Sequence, residues 1–140
     1  MFAALAVFLS CVSNSHGVTW TKKASMSDGR RMLSVAEVGG KIYAIGGFSN
    51  TAGYTAHEAY DPVADSWTKK KPMIVPRSAA GAAAVNGKIY VIGGLGYDMT
   101  LGKNVFLSSM EMYDPALDAW TPKKPMSVER HSMAVGAVDG

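Results

Sequence analysis

The sequence predicts an all-β chain built from repeated four-stranded antiparallel units. Three observations carry that reading. Lys-Ile-Tyr-Ala-Ile-Gly-Gly at 41–47 returns as Lys-Ile-Tyr-Val-Ile-Gly-Gly at 88–94. Tyr60-Asp61-Pro62 runs to Trp67 and Tyr113-Asp114-Pro115 runs to Trp120, each followed by lysines and a Pro-Met pair. Arg77 and Arg130 stand at matching places beyond Met73 and Met126, and a partial earlier copy keeps Trp20, Met26 and Arg30. The period is 47 residues from Trp20 to Trp67 and 53 from Trp67 to Trp120. Because 10 residues separate Gly47 from Glu58 but 16 separate Gly94 from Glu111, the extra length lies in one variable loop. Self-similarity at such a period marks a repeat architecture.

Each unit reads as four strands, a to d. Strand a is the run of small residues, Ser78 to Val85, matched by Met32–Val38 and Ser132–Val138. Ala79–Ala84 favours a helix on propensity alone, but the valines of the matching segments overrule it. Asn86-Gly87, Gly39-Gly40 and Asp139-Gly140 then suit a two-residue hairpin turn, because these residues tolerate positive φ. Strand b carries Ile89 and Val91 on one face and Tyr90 and Ile92 on the other, the pattern of a strand buried on both sides. Tyr43 holds the place of Tyr90 in the earlier unit. Gly46-Gly47 and Gly93-Gly94 end strand b where a neighbouring chain or the repeat's Trp comes too close for a Cβ. Glu58 to Asp61 is strand c, stopped by Pro62, which lacks an N–H. Ser66 to Lys69 is strand d, its Trp67 read as a large core residue. Four strands per unit, with the smallest residues in the strand nearest a crowded axis, describe the blade of a β-propeller.

The ordered landmarks Arg, Gly-Lys-Ile-Tyr-x-Ile-Gly-Gly, Tyr-Asp-Pro, Trp and Pro-Met resemble the Kelch repeat. The resemblance covers Arg30 to Gly140, preceded by the tail of a unit from Trp20. It divides the chain into a lone outer strand at 16–29, repeats at 30–76 and 77–129, and the start of a third at 130–140. The expected fold is therefore a fragment of a Kelch-type propeller with four-stranded antiparallel blades. Two blades cover one interface and leave two apolar outer faces. At about 1.5–3 kcal/mol per buried side chain, these forfeit on the order of 10 kcal/mol, so closure needs further blades.

The first residues break the pattern. Phe2 to Leu9 is apolar and is followed by Ser10-Cys11-Val12-Ser13-Asn14-Ser15. This resembles a short secretory signal over 1–15, cleaved after Ser15, although no Lys or Arg precedes it. The run is too short to span a bilayer. A secreted, extracellular location is the expectation, with a cytoplasmic one as the alternative. The sole cysteine, Cys11, lies inside this segment and says nothing of redox compartment.

Half of the 14 basic residues follow the tryptophans: Lys22, Lys23, Lys69, Lys70, Lys71, Lys123 and Lys124. Lysines on a blade's outer edge deter edge-to-edge pairing. With no aromatics interleaved for base stacking, they do not read as a nucleic-acid surface. His16, His57 and His131 have no metal-site spacing, and no phosphate loop or nucleophile motif occurs. Asp61, Asp65, Asp114 and Asp118 sit beside prolines as turn residues. Arg30, Arg77 and Arg130 recur in every unit, which suits a structural task such as bonding carbonyls between blades. The reading is a non-catalytic module without cofactor or metal.

The resemblance implies a protein partner, recognised through the loops of one face. The b–c and d–a connections share that face. The b–c segments Phe48–His57 and Leu95–Met110 differ in length and letters, and carry Phe48, Tyr54, Tyr97, Asp98, Lys103 and Phe106 as candidate contacts. Variable loops on a rigid frame are where recognition usually sits. Two alternatives follow from the same resemblance. Without a signal, the chain would be the substrate-recognition part of a ubiquitin-ligase adaptor. With one, it would be part of a secreted carbohydrate-active enzyme similar in fold to galactose oxidase or sialic-acid mutarotases. Expressed in a secreting host, the chain is expected to lose about 15 N-terminal residues. Intact mass of the secreted protein checks this, and Met1 retained on cytosolic protein contradicts it.

Overall fold

A computed structural model describes residues 20–49 and 55–138. Within them lie strands β1 (Ser34–Val38), β2 (Lys41–Ile45), β3 (His57–Asp61), β4 (Ser66–Lys69), β5 (Gly81–Val85), β6 (Lys88–Ile92), β7 (Leu95–Asp98), β8 (Lys103–Phe106), β9 (Met110–Asp114) and β10 (Ala119–Lys123). The first four form one antiparallel sheet in chain order, and β5, β6, β9 and β10 form a second. These are two blades, each a meander from inner to outer strand. The a–b turns are of the mirror-image type: φ is 50° at Asn86 and 72° at Gly87, and 62° and 75° at Gly39 and Gly40.

Between the blades lies the core. Tyr43 and Ile45 of β2 meet Ile89 and Val91 of β6, with Ala36, Ala59, Met73 and Tyr113 completing the cluster. The second face of strand b is less well covered: Tyr90 and Ile92, which point away from the first blade, are half-buried. Residues 133–138 lie against that side, where a Cβ on Gly81 would sit 2.2 Å from Val135. The expected strand over Ser132–Val138 is not formed: beyond the Ser132 N–H bond to Ala79, no strand pairing along it occurs among the described residues. Asp139-Gly140 and the segment 1–15 lie outside the described residues.

The diglycines answer to chain, not to tryptophan. At Gly94, with φ of 101°, a Cβ would lie 2.6 Å from the Ser78 carbonyl oxygen and 3.0 Å from Ala80 Cβ. At Gly47 it would meet the Arg31 carbonyl and Leu33. At these second glycines the intruder is the chain leading into strand a of the same blade, whereas a Cβ on Gly93 would meet the Arg130 carbonyl of the next unit. The tryptophans sit elsewhere: Trp20 is exposed, while Trp67 and Trp120 are half-buried at the outer edge, Trp120 packing against the rim of the core.

There they grip the preceding unit. Trp120 Nε1 donates to the Lys71 carbonyl at 2.8 Å, and the Lys71 N–H donates to Asp118 at 3.0 Å. One unit upstream, Trp67 Nε1 donates to the Ala24 carbonyl at 2.9 Å, and the Ala24 N–H donates to Asp65 at 3.0 Å. Asp65 and Asp118 were expected only to make turns. They do adopt left-handed φ of 48° and 45°, but each also accepts a tyrosine hydroxyl, from Tyr60 and Tyr113, at 2.6 Å. Asp61 and Asp114 keep the turn role, accepting backbone N–H groups at Val63 and Ala116. They also pair with Lys41 and Lys88. A second line of contact runs along the inner strands, where the Ala79 N–H donates to Met32 and the Ser132 N–H to Ala79.

The recurring arginines work inside a blade, not between blades. Arg77 is 1% exposed and donates to the Gly93 and Ser109 carbonyls at 2.8 and 2.9 Å. It also pairs with the buried Glu111 at 2.8 Å. Glu111 in turn accepts the N–H groups of Ile74 and Val75, so it fixes the d–a connection. Arg30 and Glu58 occupy the same places in the first blade, 3.5 Å apart. Arg130 is exposed. Breaking a buried pair by removing one partner costs ~3–5 kcal/mol, and Glu111→Gln is expected to fall in that range in urea unfolding. Glu58→Gln should cost less, because its pair is longer and accepts fewer backbone donors. Equal losses at the two sites would contradict this.

Candidate partner-binding face

The b–c connection of the second blade is not a loop but a hairpin. β7 and β8 pair antiparallel, with Leu95 opposite Phe106 and Asp98 opposite Lys103. The Asp98 carboxylate accepts the N–H groups of Thr100 and Leu101 at 2.8 and 2.9 Å, and Gly102 closes the turn with φ of 62°. Asp98 is thus bound into the turn. The hairpin stands on the blade through the Ser78–Leu95 bridge and the Leu107 N–H, which donates to the Gly94 carbonyl. A rigid base therefore carries an exposed tip.

That tip is apolar. Tyr97, Met99, Leu101 and Phe106 are 47%, 85%, 59% and 52% exposed, on a segment where Lys103 and Asn104 are exposed as well. Phe106 stacks on His131 at 4.5 Å between centroids. Met99 and Leu101 were absent from the sequence-based candidates. The signal that could have found them is Asp98 followed by Gly102, the capping acid and positive-φ glycine of a short turn.

The first blade contributes its own side of the face. Phe48 is half-buried, bridged to Arg31 by backbone pairing, and the Arg31 guanidinium lies 4.7 Å from its ring centroid. Such a stack holds a cation in place while leaving its outer side wet. A cavity of about 380 Å³ opens between the blades, lined by Arg31, Met32, Phe48, Leu95, Tyr97 and Asn104. Phe48 and Tyr97 are thus brought to one opening, whereas Tyr54 lies outside the described residues. The d–a connection reaches the same end: the Met73 N–H donates to Thr55, and the Gly47 N–H to the Arg77 carbonyl. The opposite end holds the short turns, where Val63 is 95% exposed.

Titratable groups near this face carry no metal-site arrangement: no cluster of three or more His, Cys, Asp or Glu side chains suited to a metal occurs among the described residues. No helix among them is long and apolar enough to cross a membrane. The lysines after Trp67 and Trp120 lie on or just beyond β4 and β10, the outer strands of the two sheets.

Comparison with known proteins bears on this geometry. The Kelch motif matches residues 29–74 and 76–127. A solved structure titled "Structure of YjhT" superposes with a TM-score of 0.66 at 20% identity. The alignment covers 78% of this chain and 42% of that one. No curated protein matches the sequence.

Proposed function

Since the chain belongs to the Kelch-repeat family, we propose that it is a protein-interaction module whose b–c and d–a connections bind a protein partner. The observation that carries this is the β7–β8 hairpin, where four large apolar side chains are held out from a rigid blade. Monomeric proteins rarely hold apolar groups together in water without a use for them, and aromatic anchors dominate interface energetics. Phe48 and Tyr97 would flank the partner at the cavity mouth, with Arg31 and Lys103 at its rim. Phe106, on the same face of the hairpin as Tyr97 by register, would extend the contact toward His131. Secretion through residues 1–15 is part of the same proposal, supported by the apolar run Phe2 to Leu9.

The rigid base makes the site separable from the fold. Replacing residues 97–106 of the intact protein by a short Gly/Ser turn touches none of the interblade core. The melting temperature is expected to stay within a few degrees while partner binding is lost. A photo-crosslinker at Tyr97 should trap the partner, and one at Val63 should not. Crosslinking from Val63 with equal yield, or undiminished binding after the replacement, would place the interface elsewhere.

A further inference from the structure

His57 is a titratable group whose chemistry the fold does not require: the corresponding place in the second blade holds Met110. The imidazole is 2% exposed and sits in the joint between the blades. Its ring lies 4.4 Å from Tyr113 and 5.2 Å from Trp120, both of the second blade, and 5.7 Å from Tyr43 of its own. Nδ1 is 3.2 Å from the Lys71 carbonyl, the oxygen that also accepts Trp120 Nε1. A carbonyl only accepts, so Nδ1 carries the proton of the neutral ring and Nε2 is left as an acceptor. Among the described residues, Nε2 is buried without a hydrogen-bond partner.

A second proton would create an N–H at Nε2 with no acceptor, and a buried cation among aromatic rings. The surroundings do not compensate. Tyr43 on β2, Tyr113 on β9 and Trp120 on β10 offer no charge. Asp118 favours the cation but is already shared by the Lys71 N–H and the Tyr113 hydroxyl. Lys70 and Arg30 oppose it, and Glu58, next to it on β3, is paired with Arg30. Burial is the largest cause, and together these hold the imidazole down to about 4.

We propose that His57 is a proton-operated release in the joint between the two blades. When its ring is protonated in mildly acidic solution, the grip of Trp120 and Asp118 on Lys71 opens. The direction follows from linkage. The folded group titrates below its unfolded value near 6.5, so the opened state binds more protons between the two. Stability of the joint is whole above about pH 6.5 and is lost as pH falls toward 4. Asp118 and Asp65 are held below the ordinary carboxylate range, Asp118 first by the Tyr113 hydroxyl and Asp65 first by the Ala24 N–H. They therefore keep their charge across this window.

The chain contains its own control. The upstream grip on Ala24 has the same Asp and Trp, and among the described residues no histidine is bonded to it or stacked on it. Amide exchange of the full chain, read by mass spectrometry at about pH 7 and about pH 5 and corrected for intrinsic rates, compares the two. Protection at Lys71 is expected to fall roughly 20-fold at the lower pH while that at Ala24 holds. His57→Met, the residue the second blade uses, should abolish the difference. Equal loss at both sites, or none at Lys71, overturns the proposal. That comparison within the native chain decides the matter even if the variant does not fold.

Discussion

The structure depends on one repeated constraint: each blade holds the backbone of the unit before it by both of its polar groups. An Asp takes the N–H and a Trp takes the carbonyl of one residue, Lys71 or Ala24. Lys71 lies just beyond the outer strand β4, and Ala24 holds the matching place one unit upstream, where these groups would otherwise have to be satisfied by water. Joining them to the next blade turns an edge into a fixed contact, and the tyrosine behind each Asp sets the carboxylate's position. The same arrangement explains why Trp67 and Trp120 are half-buried: their indole N–H must reach across to the neighbouring chain. Apolar packing of Tyr43 and Ile45 with Ile89 and Val91 forms the core between the blades, and the grip fixes its register.

Rigidity at the outer edge is matched near the axis. The buried Arg77–Glu111 pair ties the ends of strands b and c to the connection that leads into the blade. The b–c and d–a segments therefore start from fixed points on one end of the blades. A hairpin grown from such points keeps its shape without a core of its own, so its side chains are free to be large and apolar. The frame repeats, and the hairpin does not.

Much of this was legible in the letters. The heptapeptides announced the buried strands because only a strand covered on both faces needs apolar residues at consecutive positions. Asn86-Gly87 announced its turn because few pairs tolerate two positive φ values. Three things were hidden. Met32, Ala79 and Ser132 have positive φ of 56°, 50° and 51° with no glycine to signal it, because hydrogen bonds between successive inner strands impose that conformation. Glu58 and Glu111 recur as faithfully as the arginines, yet a strand-borne glutamate looks like a solvated one until its partner is seen. The β7–β8 hairpin escaped because its strands are four residues long and lack clean alternation.

The Asp–Trp grip joins the two blades into one body. Amide exchange across β1 to β10 in an Asp118→Ala chain tests this. With the joint held by the grip, protection falls on both sides of it, in β2 and β3 as well as in β9 and β10, while Ala24, held by its own Asp65 and Trp67, keeps its protection. Protection lost only around β9 and β10, with the first blade unchanged, would contradict it.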